Sequence, residues 1–188
     1  MRKLTFLILI NIPLLCFAPI LTTDPNVEAY KVYLIEKAKS DFKKAIAYRE
    51  SRHNPLIVNS INCIGLYQFG DAARKATGAP TINSSDIIYN RKTGKRYLKN
   101  DNVWPVSDQN LAMDSLIIIN TIRLKHEIDS LDGQNINGIT ITKSGLLAAA
   151  HLGGAGSVKR FIKTQYNAKD MNETSIADYM IEFGGFVF

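Results

Sequence analysis

The chain has 188 residues, 46% of them hydrophobic and 21% charged, with a formal net charge of +6. Those proportions suit one compact domain and argue against a second module. The lysines and arginines are scattered and no recognised nucleic-acid motif accompanies them, which speaks against a nucleic-acid partner.

Arg2 and Lys3 precede an uncharged, mostly apolar run over residues 4–20, interrupted by Asn11 and Pro13. A basic start followed by a short apolar core reads as a secretory signal over 1–23, leaving 24–188 as the mature domain. A retained membrane anchor is the rival, but the run is short for a span and contains a proline. Leu14 and Leu15 before Cys16 argue against lipid attachment. Without the leader, Cys63 is the sole cysteine and reads as a small packed residue, so no internal disulfide is expected. Removing Arg2 and Lys3 lowers the charge from +6 to +4. Outside the cytoplasm, that charge favours an anionic partner such as a cell wall, among many other surfaces.

From Asp24 onward the pattern is helical. Asp24-Pro25 can cap and open a helix, and Val27, Tyr30, Leu34, Ala38, Phe42, Ala45 and Ile46 recur at the helical period. Ser40-Asp41 could divide it in two, and Asn54-Pro55 ends it. A short helix is expected from Asp71 to Ala76. Residues 78–106 are irregular, and YNRKTGKRYLKN reads as a hairpin around Thr93-Gly94 or as a polar loop. A long helix from Ser107 to about Leu131 contains Leu116–Ile119, four consecutive apolar residues that predict the central buried helix. After a turn region from Gly133 to Gly138, Thr142 caps a helix that Gly153-Gly154 stops, and Ser157 starts another. Ser175 and Asp178 have capping-box spacing for a last helix. The fold class predicted is mainly α, in a single domain.

The chain lacks histidine pairs at metal-binding spacing, a phosphate-binding glycine loop after a strand and a nucleophile elbow, and it has only three histidines, His53, His126 and His151. No metal or cofactor is expected. The ionisable residue that stands out is Glu50, where the first helical pattern gives way to Asn, Pro, Ser and Gly. The segment ESRHNPLIVNSINCIGLYQF resembles the signature around the catalytic glutamate of the lytic transglycosylases, with Glu50-Ser51, Asn54-Pro55, Gly65-Leu66, Tyr67 and Gln68 in order. AAAHLGGAGSVKRF at 148–161 resembles a later element of that family, and DYMIEFGGF resembles its last helix, which places Tyr179 near the cleft. The usual pattern is broken at three sites. His151-Leu152 replaces tyrosine-asparagine, Asn59 replaces a serine, and Asn62-Cys63 replaces glycine-alanine.

The resemblance implies a lysozyme-like domain that cleaves the β-1,4 bond of peptidoglycan, with Glu50 as catalytic acid and then base, and a 1,6-anhydro sugar as product. Such chemistry needs a carboxylic acid to protonate a poor leaving oxygen. A second carboxylate normally serves as nucleophile or base, and none lies near Glu50 in sequence before Asp71. In the family, the substrate's own N-acetyl group is thought to fill that role. The substrate-binding residues expected are Ser51, Asn59, Tyr67, Gln68, His151 and Tyr179. For most of them a structural role is equally open. Ser51 could orient Glu50 or cap backbone, Tyr67 could stack on sugar or fill the core, and His151 and Tyr179 could face the cleft or close the core. Trp104 and Tyr97 could line glycan subsites or pin a surface loop. The expected partners are peptidoglycan strands and a cell-envelope or secretion machine, and the protein is expected to be monomeric and periplasmic or secreted. The alternatives are a muramidase, in which water attacks, and a glycan-binding module without catalysis.

Overall fold

The computed structural model describes residues 24–170 and 173–188, so the expected leader lies outside the described residues. Among them, α1 (Pro25–Ser51) is one continuous helix of 27 residues. Asp24 accepts from the Asn26 amide at 2.8 Å and Pro25 fills the first turn, as the sequence predicts. The division at Ser40-Asp41 does not occur. Asp41 pairs instead with Lys37 at 2.7 Å and Lys44 at 3.5 Å, and these one-turn pairs support a helix running through the site. The core-facing stripe is also shorter than the periodicity predicts. Phe42, Ile46 and Ala47 are buried, whereas Val27, Tyr30 and Leu34 are exposed. A helix of this length extends about 40 Å, and its first half runs beyond the body it packs on.

The irregular region resolves into a hairpin. The strands β1 (Ile57–Val58), β2 (Ile87–Asn90) and β3 (Lys95–Leu98) form an antiparallel sheet in the order β1-β3-β2. Asn90 faces Lys95 across the turn, where Gly94 adopts a left-handed φ of 66°. The short helix α2 (Asp71–Thr77) precedes this hairpin. A second two-stranded ladder, β4 (Asn135–Ile136) with β5 (Ile139–Thr140), occupies the predicted turn region around Asn137-Gly138.

The long helix predicted after Ser107 is two helices, α3 (Val106–Arg123) and α4 (Lys125–Leu131). The break falls at fully buried Leu124, whose φ of −104° and ψ of 13° turn the chain without a glycine or proline to announce it. Nor is α3 the central helix. Ala112, Met113, Leu116 and Ile117 face inward, but Leu111, Ile118 and Ile122 are exposed. The core is built around α5 (Lys143–Thr164), where every residue from Leu146 to Ala150 is at most 3% exposed. Thr142 caps α5 by accepting from the Gly145 amide at 3.1 Å. The expected stop appears as a break inside α5 at Gly154, with φ 76° and ψ 158°. The last helix, α6 (Ile176–Phe183), begins with the predicted Ser175–Asp178 capping box and packs on α5. Gly145 allows that approach, because a Cβ there would lie 2.8 Å from the Met180 carbonyl.

The chain is therefore a mainly helical domain with a few short antiparallel strands in open sheets. Among the described residues no helix is long and apolar enough to cross a membrane.

Candidate active site

Glu50 is the penultimate residue of α1, and its side chain is 17% exposed. Immediately beyond it, Arg52 and His53 both adopt left-handed backbone, at φ 55° and 60°. Asn62 and Gln68, in the loop opposite, do the same at 63° and 47°. Non-glycine residues in this region cost about 1–3 kcal/mol each, so four of them in one neighbourhood mark a backbone held by its surroundings. Ser51 contributes to that hold. Its hydroxyl lies 2.8 Å from the Leu66 carbonyl and 3.0 Å from that of Ala47, which ties the end of α1 to the 64–69 loop. Of the two roles open to Ser51 in the sequence, the hydroxyl performs the backbone one.

Gly65 is a further requirement of that loop. It has φ 81°, and a side-chain carbon there would collide with the Gln109 amide oxygen. That oxygen accepts from the Leu66 amide at 2.7 Å, while the Gln109 amide nitrogen donates to the Trp104 and Pro55 carbonyls at 2.8 and 3.1 Å. Gln109 is fully buried and pins the loop to α3. A glutamine near a helix start carries no local mark of such a role, so the sequence does not point to it.

Three adjoining hollows share Glu50. The largest, about 760 Å³, lies between the end of α1 and the β2–β3 hairpin. The second, about 260 Å³, adds His151, Leu152, Cys63 and Asp170. The third, about 320 Å³, adds Tyr179 and Thr174. Asn59 and Gln68 line all three. The Asn59 side-chain oxygen is engaged by the Ile61 and Cys63 amides at 3.0 and 2.8 Å. The Gln68 amide nitrogen donates to the Gly65 carbonyl at 2.9 Å. Both residues therefore shape the cleft walls through one end of their amide groups.

Two residues from the second half of the chain reach Glu50. The Tyr179 hydroxyl donates to Glu50 Oε1 at 2.5 Å. Burial, followed by the Glu50 charge and this hydrogen bond, pushes the Tyr179 phenol well above its ordinary range, although Arg49 works in the opposite direction. His151 Nε2 lies 3.7 Å from the same carboxylate oxygen and 2.9 Å from the Tyr67 carbonyl. A carbonyl only accepts, so that bond requires the proton on Nε2. His151 Nδ1 is buried and has no hydrogen-bond partner. The ring of His151 also meets Phe69 edge-on, with centroids 5.8 Å apart.

Tyr67 does not form a sugar-stacking wall. It is 2% exposed, and its hydroxyl donates to Asn110 on α3 at 2.6 Å. Burial raises its phenol to about 12. Trp104 is likewise core, packed edge-on against Phe69, whereas Tyr97 is half-buried and lines the largest hollow. Cys63 is half-buried at the edge of the second hollow rather than packed away, and burial raises its thiol.

Asp170 is the carboxylate that sequence proximity could not find. It lines the second and third hollows with Glu50 and accepts from the Thr174 amide at 2.9 Å. It lies in the segment between α5 and α6, remote from Glu50 in sequence. Asp71, by contrast, pairs with Lys75 at 2.9 Å and Arg74 at 3.4 Å on α2 and does not line these hollows. Among the described residues, no group of three or more His, Cys, Asp or Glu side chains could hold a metal ion. Compared with models of known protein families, with curated proteins and with solved structures, the chain matches none.

Proposed function

We propose that this protein is a peptidoglycan lytic transglycosylase with a lysozyme-like domain, acting in the periplasm or outside the cell. The observation that carries the reading is the meeting of Glu50 and Tyr179, 129 residues apart in sequence, at the junction of an open polar cleft. Both residues belong to segments that resemble the family, and a mostly buried carboxylate in a groove suits general acid work.

In this mechanism Glu50, protonated, gives its proton to the glycosidic oxygen as the bond from that oxygen to C1 of the muramyl sugar breaks. Tyr179 occupies Oε1 as a donor, so the transferable proton belongs on Oε2. The substrate's N-acetyl oxygen supports C1 as the leaving group departs. Glu50, now a carboxylate, takes the proton of the muramyl 6-hydroxyl, and O6 closes on C1. The product is a 1,6-anhydro sugar, Glu50 regains its proton, and no water is consumed.

A second reading, hydrolysis, gains support from Asp170, which supplies the additional carboxylate such a reaction uses. One digest tests both. Purified protein incubated with wall sacculi is expected to release anhydro-muropeptides, and Glu50→Gln is expected to lower the rate at least about a hundredfold while staying folded. Products about 18 Da heavier, the mass of one water, together with a comparable loss in Asp170→Asn, would convert the assignment to a muramidase. Undiminished release by Glu50→Gln would remove Glu50 from the mechanism, and sacculus binding without any release would make this a binding module.

A further inference from the structure

We infer that the hollow between the end of α1 and the β2–β3 hairpin binds a carboxylate carried by the glycan, so that the ligand of this cleft is an acidic glycan rather than a neutral one. The inference rests on the glycan reading above and adds a substituent to it. Arg49, Arg52, Lys95 and Arg96 line this hollow against the single carboxylate of Glu50. Arg49 has a carboxylate of its own, Glu182 at 3.7 Å. Among the described residues, no carboxylate lies within ion-pair distance of the other three.

Arg96 is held in place without being neutralised. It donates to the Asn62 side-chain oxygen at 2.9 Å and to the Asn59 carbonyl, both uncharged acceptors. Arg52 is exposed, and its guanidinium stacks 4.2 Å over the Tyr48 ring. A guanidinium anchored through neutral contacts keeps its attraction for an incoming anion and has lost part of its freedom in advance. The charge is also one-sided. Asp170 shares the third hollow with Arg49 and Arg52 but is absent from the lining of this one, where Lys95 and Arg96 add to them. Asn54, Ser60 and Tyr97 line the same hollow and offer the hydrogen bonds and ring face that suit a sugar carrying the anion.

The test uses the full chain carrying Glu50→Gln to prevent turnover, and equilibrium binding at low and high salt. The probes are wall glycan strands with free carboxylates, the same strands converted to neutral amides, a neutral N-acetylglucosamine oligomer of equal length, and a single-stranded oligonucleotide. The acidic strands are expected to bind roughly tenfold more tightly than the amidated ones, with the gap narrowing in high salt. Adding Arg52→Gln and Lys95→Gln together is expected to close most of that gap while changing binding of the neutral oligomer less than about twofold. Equal affinity for acidic and amidated strands overturns the inference, as does an equal loss for neutral and acidic ligands in the double variant. Tighter binding of the oligonucleotide than of the acidic strands overturns the ligand class. Wild-type cleavage of wall glycan without preference for the acidic form rejects this inference and leaves the proposed function. A preference for the acidic strands in a protein that cleaves nothing does the reverse.

Discussion

Tyr67 and Tyr179 are both buried tyrosines whose hydroxyls donate to a side-chain oxygen, yet their removal is expected to have opposite results. Tyr179→Phe keeps the ring against Phe183, 5.1 Å away, and deletes only the hydroxyl on Glu50. A hydrogen bond to a charged group is worth about 1.5–3 kcal/mol, so glycan cleavage should fall roughly tenfold or more with little change in melting temperature. Tyr67→Phe leaves half-buried Asn110 without its donor and should cost about 0.5–1.5 kcal/mol of stability with the rate preserved. Steady-state rates and thermal melts on both variants check the contrast. The difference between these tyrosines is invisible in the sequence, because Tyr67 is turned inward by α3, 43 residues away. Glu50 was legible because its signature is local. Asp170 was not, because only the fold brings it to the hollows that Glu50 lines.

At the scale of an element, α6 carries Tyr179 to Glu50 while its Ile176, Met180 and Phe183 fill the core, so its start bears on both. The Ser175 hydroxyl and amide both donate to Asp178, at 2.7 and 2.8 Å, and these bonds hold the Asp178 carboxyl below its ordinary value of 3.8. A carboxyl depressed in the folded state adds stability that is complete above its unfolded pKa and is lost as pH falls through the folded one. The capping contribution should thus be intact at neutral pH and begin to fall below about pH 4. Ser175→Ala should cost about 1 kcal/mol at pH 7 and lower activity by loosening Tyr179, with a smaller penalty at pH 3, as denaturant titrations at the two pH values would show. α1 makes the companion case. Ile46→Ala should cost about 2–5 kcal/mol, whereas Leu34→Gln, on the same predicted face but exposed, should stay within about 0.5 kcal/mol. Capping residues announced where α1, α5 and α6 begin, since a cap is a local bond. The break at Leu124 and the exposure of early α1 depend on what lies alongside, which periodicity cannot report.

For the whole molecule, the mainly helical class was readable because long periodic segments dominate the chain. The hairpin was readable only as one of two alternatives. Its place in the fold has a consequence for motion. The turn at 91–94 lies at the far end of β2 and β3, and the sheet returns to the body through the two residues of β1, the Leu98–Leu56 backbone bond of 2.8 Å and the Arg96 contacts to Asn59 and Asn62. Glu50 stands on a helix whose neighbours Phe42 and Ile46 are wholly enclosed. The two sides of the cleft therefore belong to regions of unequal opening free energy, and the hairpin should breathe many times for each excursion of α1. Amide protons at 88–97 are expected to exchange with deuterium well before those at 42–50, and an acidic glycan on the Glu50→Gln protein should slow the hairpin selectively. Equal exchange on both sides of the cleft, unchanged by ligand, would show that the two walls move as one piece. Unequal exchange would make the hairpin the wall that opens to admit a strand and to let it go, against a fixed α1.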